Sequence, residues 1–133
     1  MAAKGGNTAS ALGLLTLRIG AAGMLIVGHG WPKLQHFSER AHKFADPLHV
    51  GTQNSLAMAV FAELVCATFV LFGYLTRFAV VPILVLFGVI IFVVSGGEPL
   101  ADRDLAIVYA TAFVSIALLG PGRFSVDGAR GRA

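Results

Sequence analysis

Four apolar stretches separated by short polar connections set the pattern of this chain. The first runs from about Ser10 to Gly30 and holds one charge, Arg18. The second, from about Ser55 to Tyr74, holds only Glu63, and the third, from about Phe78 to Val94, holds no ionisable residue. The fourth, from about Asp104 to Leu119, is shorter and opens on its acid. A helix of about 20 residues crosses a hydrocarbon layer of roughly 30 Å. The pattern therefore predicts an all-α integral membrane four-helix bundle, a single domain over residues 1–133. The connection from about Trp31 to Asn54 is too long for a turn. Leu34, Phe37, Ala41, Phe44 and Leu48 recur at three- and four-residue steps, with Gln35, His36, Glu39, Arg40 and Lys43 on the opposite face. That spacing predicts an amphipathic helix on the membrane surface, ending near Asp46 and Pro47. A polar loop with scattered apolar residues is the plainer alternative. Pro32 is expected to break the first span, and Trp31 falls at interfacial depth. The ends, up to about Asn7 and from about Asp127, read as flexible.

Composition agrees with the pattern. Of 133 residues, 56% are hydrophobic and 13% charged, against about 25% charged in ordinary soluble domains. The mean hydropathy is +0.79. A net charge of +3 is spread over connections and ends, which does not make the concentrated basic face that nucleic acid requires. Lys4, Arg77, Arg123, Arg130 and Arg132 share one side of the predicted bundle, and Lys33, Arg40, Lys43 and Arg103 the other. The arginines after the last span place both termini in the cytoplasm of a plasma-membrane protein. With three more spans behind it, the first stretch does not read as a cleaved signal peptide. Cys66 is the sole cysteine, which excludes an intrachain disulfide or a CxxC redox pair.

Charges inside the bilayer face the bundle interior or a wet cavity, because hydrocarbon does not solvate them. Arg18, Ala21, Ala22, Leu25 and His29 share one helical face, which Lys33 continues loosely. Glu63 lies beside Ala59, Val60, Cys66 and Ala67; Asp104 aligns with Thr111 and Ser115. These stripes predict one polar crevice, with the third span facing lipid. At 1.5 Å per residue, Arg18 lies roughly 10–12 Å and Glu63 roughly 16–18 Å from the same edge. An Arg18–Glu63 ion pair is within reach, either pinning helix register or lining a ligand site. Glu63, Asp104 and His29 are the candidate proton-exchanging or catalytic groups; Arg18, Lys33 and Arg77 are the candidate ligand-binding groups. His36, His42 and His49 read as surface-helix residues, and no metal site is expected because none of the histidines shows i, i+4 ligand spacing.

In order and spacing, these residues resemble the DoxX family. Leu17-Arg18 leads to Gly28-His29-Gly30 with Lys33 after it; Glu63 stands in the second span. Gly73, Thr76 and Arg77 form a G-x-x-TR turn, and Asp104-Leu105-Ala106 stands where relatives carry Glu-Leu-Ala. The chain closes on Gly120-Pro121-Gly122-Arg123-Phe124-Ser125 with Asp127. The resemblance spans about Leu14 to Asp127. It implies a four-helix membrane bundle loosely associated with respiratory redox chemistry, in which related subunits serve thiosulfate:quinone oxidoreductases. On that footing the chain is expected to bind a quinone or similar apolar ligand in its crevice, as a membrane oxidoreductase or a subunit of one. The alternative is a non-enzymatic anchor or assembly partner for another enzyme. No flavin, haem or iron–sulfur motif occurs, so electrons would come from a redox partner or the quinone itself. Homo-oligomerisation is expected because short spans of one small chain bury little surface.

Overall fold

The computed structural model describes residues 8–44, 46, 48–94, 97, 99 and 103–131. Lys4, Asn7, Pro47 and Arg132, read above from the sequence, lie outside them. Helix α1 (Thr8–Gln35), α3 (Thr52–Phe72) and α4 (Thr76–Val94) are each long and apolar enough to cross a membrane. The short α2 (Phe37–Arg40) lies between the first two. Helix α5 (Asp104–Leu119) is apolar but shorter, and α6 (Val126–Ala129) closes the described chain. No strand occurs among the described residues.

Pro32 does not break α1. A π turn over Ile26–Gly30 precedes it, in which the Trp31 N–H donates to Ile26 O five residues back. The hydrogen-bond ladder is thus offset just before the proline, which then sits at the start of a new α stretch where a missing N–H costs little. The expected surface helix is also much reduced. His36 leaves helical geometry (φ −110°, ψ 30°), and only Phe37–Arg40 re-forms a turn. Beyond it Asp46 organises the chain: its carboxylate accepts from Val50 N and Gly51 N at 2.9 and 2.8 Å and from the Ser55 hydroxyl at 2.9 Å. Asp46 thereby ties the Val50–Gly51 approach to the Ser55 side chain in the first turn of α3.

The third apolar stretch is not a lipid-facing outlier. Val80, Ile83 and Phe87 of α4 are buried against Phe113 and Ile116 of α5 and Val70 of α3, while Phe78, Val81, Val85 and Phe92 are exposed. An all-apolar helix gives no sequence signal for which face meets protein and which meets lipid. The end of the chain is likewise ordered by contact: Asp127 is buried, and its N–H donates to Gly73 O at 2.8 Å.

Candidate functional site

The sequence places two ionisable groups deep in apolar helices, and the structure sends them to opposite jobs. Arg18 is 2% exposed and is spent on backbone. Its Nε donates to Val70 O at 3.1 Å and Nη2 to Leu71 O at 2.9 Å. Its Nη1 donates to Pro121 O and Phe124 O, both at 3.0 Å. Val70 and Leu71 end α3, where carbonyls lack intrahelical donors and the helix dipole is negative. Arg18 therefore caps α3 and clamps the Gly120–Ser125 segment against it. Gly73 follows in the left-handed region (φ 70°), where an added Cβ would collide with the Ser125 side chain.

Asp127 completes this end. It accepts from Leu75 N and Thr76 N at 3.0 Å each and from the Thr76 hydroxyl at 2.9 Å. These bonds start α4 and hold Leu75 at φ 48°, a costly value for a branched side chain. Arg77 caps a neighbour in the same way as Arg18: Nε donates to Ala117 O at 2.9 Å and Nη2 to Leu118 O at 3.4 Å. Arg18 and Arg77, read from the sequence as ligand-binding candidates, thus bind the carboxyl ends of helices.

Glu63 lies elsewhere. It is 2% exposed, and Lys33 Nζ donates to both its oxygens, at 2.7 and 2.9 Å. The anticipated Arg18–Glu63 ion pair does not form, because Arg18 is committed to carbonyls at the other end of α3. Glu63 sits in a second π turn, Phe61–Cys66, directly against the first. A methyl group on Gly30 would stand 2.8 Å from Glu63 O. Two π turns thus meet at a glycine, and the contact brings the Lys33 ammonium over Glu63.

Around Glu63 the site extends to α5. The His29 ring packs edge-on against Tyr109 at 5.6 Å, and Tyr109 stacks on Phe87 at 5.3 Å. Tyr109 was not among the residues read from the sequence, although a tyrosine inside an apolar span is itself a signal, since its hydroxyl calls for a polar neighbour. Asp104 opens α5 on an exposed surface. Of the site candidates read from the sequence, Lys33 and Glu63 line the cavity described next, whereas Arg18, His29, Arg77 and Asp104 do not, and neither does Tyr109.

Lys33 and Glu63 form part of the wall of a cavity of about 560 Å³ between α3, α4 and the segment carrying Phe44 and Leu48. Among the described residues, Ser55 is the other polar one on its wall; the rest are apolar, including Ala59, Ala62, Val85, Leu86 and Val89. Volumes of about 300–1,000 Å³ with mostly apolar walls and a few convergent polar groups are typical of small-ligand sites. No three His, Cys, Asp or Glu side chains converge as a metal site among the described residues.

Comparison with family models matches residues 13–96 to DoxX. The matched stretch contains Arg18, His29, Lys33, Glu63, Gly73 and Arg77. No curated protein sequence and no solved structure matches the chain.

Proposed function

The chain belongs to the DoxX family, and on that premise we propose that it is a membrane subunit in respiratory redox chemistry. In this reading it holds a quinone, or a similar apolar ligand with a carbonyl head, in the Lys33–Glu63 cavity. The observation that supports it is an ion pair between a buried Glu63 and a largely enclosed Lys33, on the wall of a cavity whose other described lining is apolar apart from Ser55. An ammonium has three donors and no acceptor. Glu63 takes two of them, which leaves one N–H of Lys33 for a ligand oxygen. The apolar walls suit a ring and tail, and a quinone would bring the electron-carrying chemistry that these side chains lack. The protein's part is to bind and orient the head at Lys33, exclude water, and offer the Glu63 carboxylate as a proton acceptor beside it. Electrons would pass to or from a partner redox enzyme in the plasma membrane.

The test is chemical. The protein purified in native lipid is extracted with organic solvent and examined by redox difference spectroscopy, beside Lys33→Met. Near-stoichiometric quinone in the parent and its loss in the variant are expected. Equal quinone in both, or none in either, overturns the reading.

A further inference from the structure

The walls of the cavity are not equally enclosed. Ala59 and Ala62, at its back, are each 2% exposed, whereas Phe61 of α3 and Val85 of α4 are 50% and 58% exposed. Met58 and Val81, on the same two helices, are also about half exposed, at 49% and 56%. All four line the cavity. Helices α3 and α4 run antiparallel. Phe61 lies nine residues from Thr52, and Val85 lies nine residues from Val94. Both therefore lie roughly 14 Å from the Lys33 end of the helices, at 1.5 Å per residue. At that depth the surrounding medium is hydrocarbon, since the apolar layer is about 30 Å thick. Toward the aqueous end, the cavity is bordered by Phe44, Leu48 and Ser55, and Ser55 is tied to Asp46 at 2.9 Å.

We infer that the cavity is loaded sideways from the bilayer, through the seam between Phe61 and Val85, by a membrane-dissolved amphiphile with a neutral, hydrogen-bond-accepting head. The inference rests on the reading that this cavity holds an apolar ligand, and adds its route and the charge of its head. The route follows from the polarity of the openings, because Leu48 at the aqueous end is 53% exposed, about as open as the seam, but presents an apolar side chain to water. A water-borne molecule would have to cross the apolar border at Phe44 and Leu48, whereas a lipid-dissolved one meets side chains of its own polarity. The head follows from charge. Lys33 and Glu63 are jointly neutral, and a carbonyl that accepts the remaining Lys33 N–H leaves the pair intact. A carboxylate head would compete with Glu63 for Lys33 and leave a buried charge unpaired, which is strongly unfavourable.

Photolabelling of the full chain in vesicles tests the route without requiring a known ligand. An uncharged aryl diazirine dissolved in the lipid is compared with a charged, membrane-impermeant diazirine in the water, and adducts are mapped by mass spectrometry. The apolar probe should label the Ala59–Glu63 stretch and the charged probe should not. Val85→Trp, which narrows the seam, should lower that labelling several-fold while lipid-facing Phe92 is labelled as before. Phe61→Ala, which widens it, should raise labelling and provides the readout if the tryptophan variant misfolds. Labelling by the charged probe, or labelling insensitive to both substitutions, overturns the inference. Adding a neutral long-chain ketone should protect the stretch, and a fatty-acid anion of equal length should not; the reverse order overturns the head assignment. Sideways labelling in a protein that carries no quinone would sink only the quinone reading, and quinone in a protein without sideways labelling only this one.

Discussion

Gly30 of α1 lies so close to Glu63 of α3 that a single added methyl group would stand 2.8 Å from the Glu63 carbonyl oxygen. The contact joins two π turns, Ile26–Gly30 and Phe61–Cys66. It sets the separation of the two helices at the level where Lys33 reaches back over the carboxylate.

Gly30→Ala should therefore act on the ion pair as well as on packing. Overpacking of this kind costs about 1–3 kcal/mol, and the obstacle is backbone, which cannot swing aside as a side chain would. A lower unfolding midpoint in mild detergent is expected, together with weaker retention of the ligand proposed for the cavity. Wild-type stability in the alanine variant would mean the two helices are less tightly set than described.

Lys33 and Glu63 should compensate each other. Removing Lys33 leaves the buried Glu63 charge alone, at about 3–5 kcal/mol, removing Glu63 leaves the partly exposed Lys33 at a smaller cost, and replacing both can be nearly neutral. Lys33→Met and Glu63→Gln should each destabilise more than the two together. Additive losses in this double-mutant cycle would show that the pair is not energetically coupled.

Arg18 should be needed for the clamp at the opposite end and not for the cavity. A hydrogen bond from a charged donor is worth about 1.5–3 kcal/mol, and Arg18 makes four. Even without additivity, Arg18→Met should cost at least about 3 kcal/mol and expose the chain after Gly120 to protease. Gly73→Ala should reproduce the protease sensitivity, because it strains the same junction. A protected tail in both variants would contradict the clamp.

Asp127 should make stability acid-sensitive. Its burial alone raises the carboxyl pKa. The N–H bonds of Thr76 and Leu75, the Thr76 hydroxyl and the Arg130 charge outweigh this and hold it below the usual aspartate range. A depressed folded-state pKa gives stability that is fully present above the unfolded value of about 3.9 and is lost as pH falls through the folded value. Unfolding midpoints measured from pH 6 to pH 3 should fall more steeply in the parent than in Asp127→Asn. Parallel curves would remove Asp127 from the acid response.

Arg77, Arg123 and Arg130 should face the cytoplasm together, with the Trp31–Asn54 segment outside and α5 spanning the bilayer. The basis is the arginine bias around the last helix. In a Cys66→Ser background, an impermeant thiol reagent added to intact cells should label His42→Cys and spare Arg130→Cys. The opposite pattern reverses the orientation.

Hydropathy and length by themselves determined that this is an α-helical membrane protein, and they located the apolar helices to within a few residues. Lipid and protein interior exert the same demand for apolar side chains, so the signal for a span is strong and local. The same equivalence hides how the helices face each other, which is why α4 read as lipid-facing although Val80, Ile83 and Phe87 are buried. Arg18, Lys33, Glu63 and His29 stood out because charge in an apolar run is rare and costly. Which of them meet was decided by tertiary structure. Rise per residue placed Arg18 and Glu63 within reach, but the carbonyls at the end of α3 and in the Gly120–Ser125 segment offered Arg18 four acceptors at once. The offset of two π turns at Gly30 then delivered Lys33 to Glu63 in its place. Asp127, read as part of a loose tail, is buried for the same reason: unsatisfied N–H groups at the start of α4 needed an acceptor. Only the folded chain shows where that need arises.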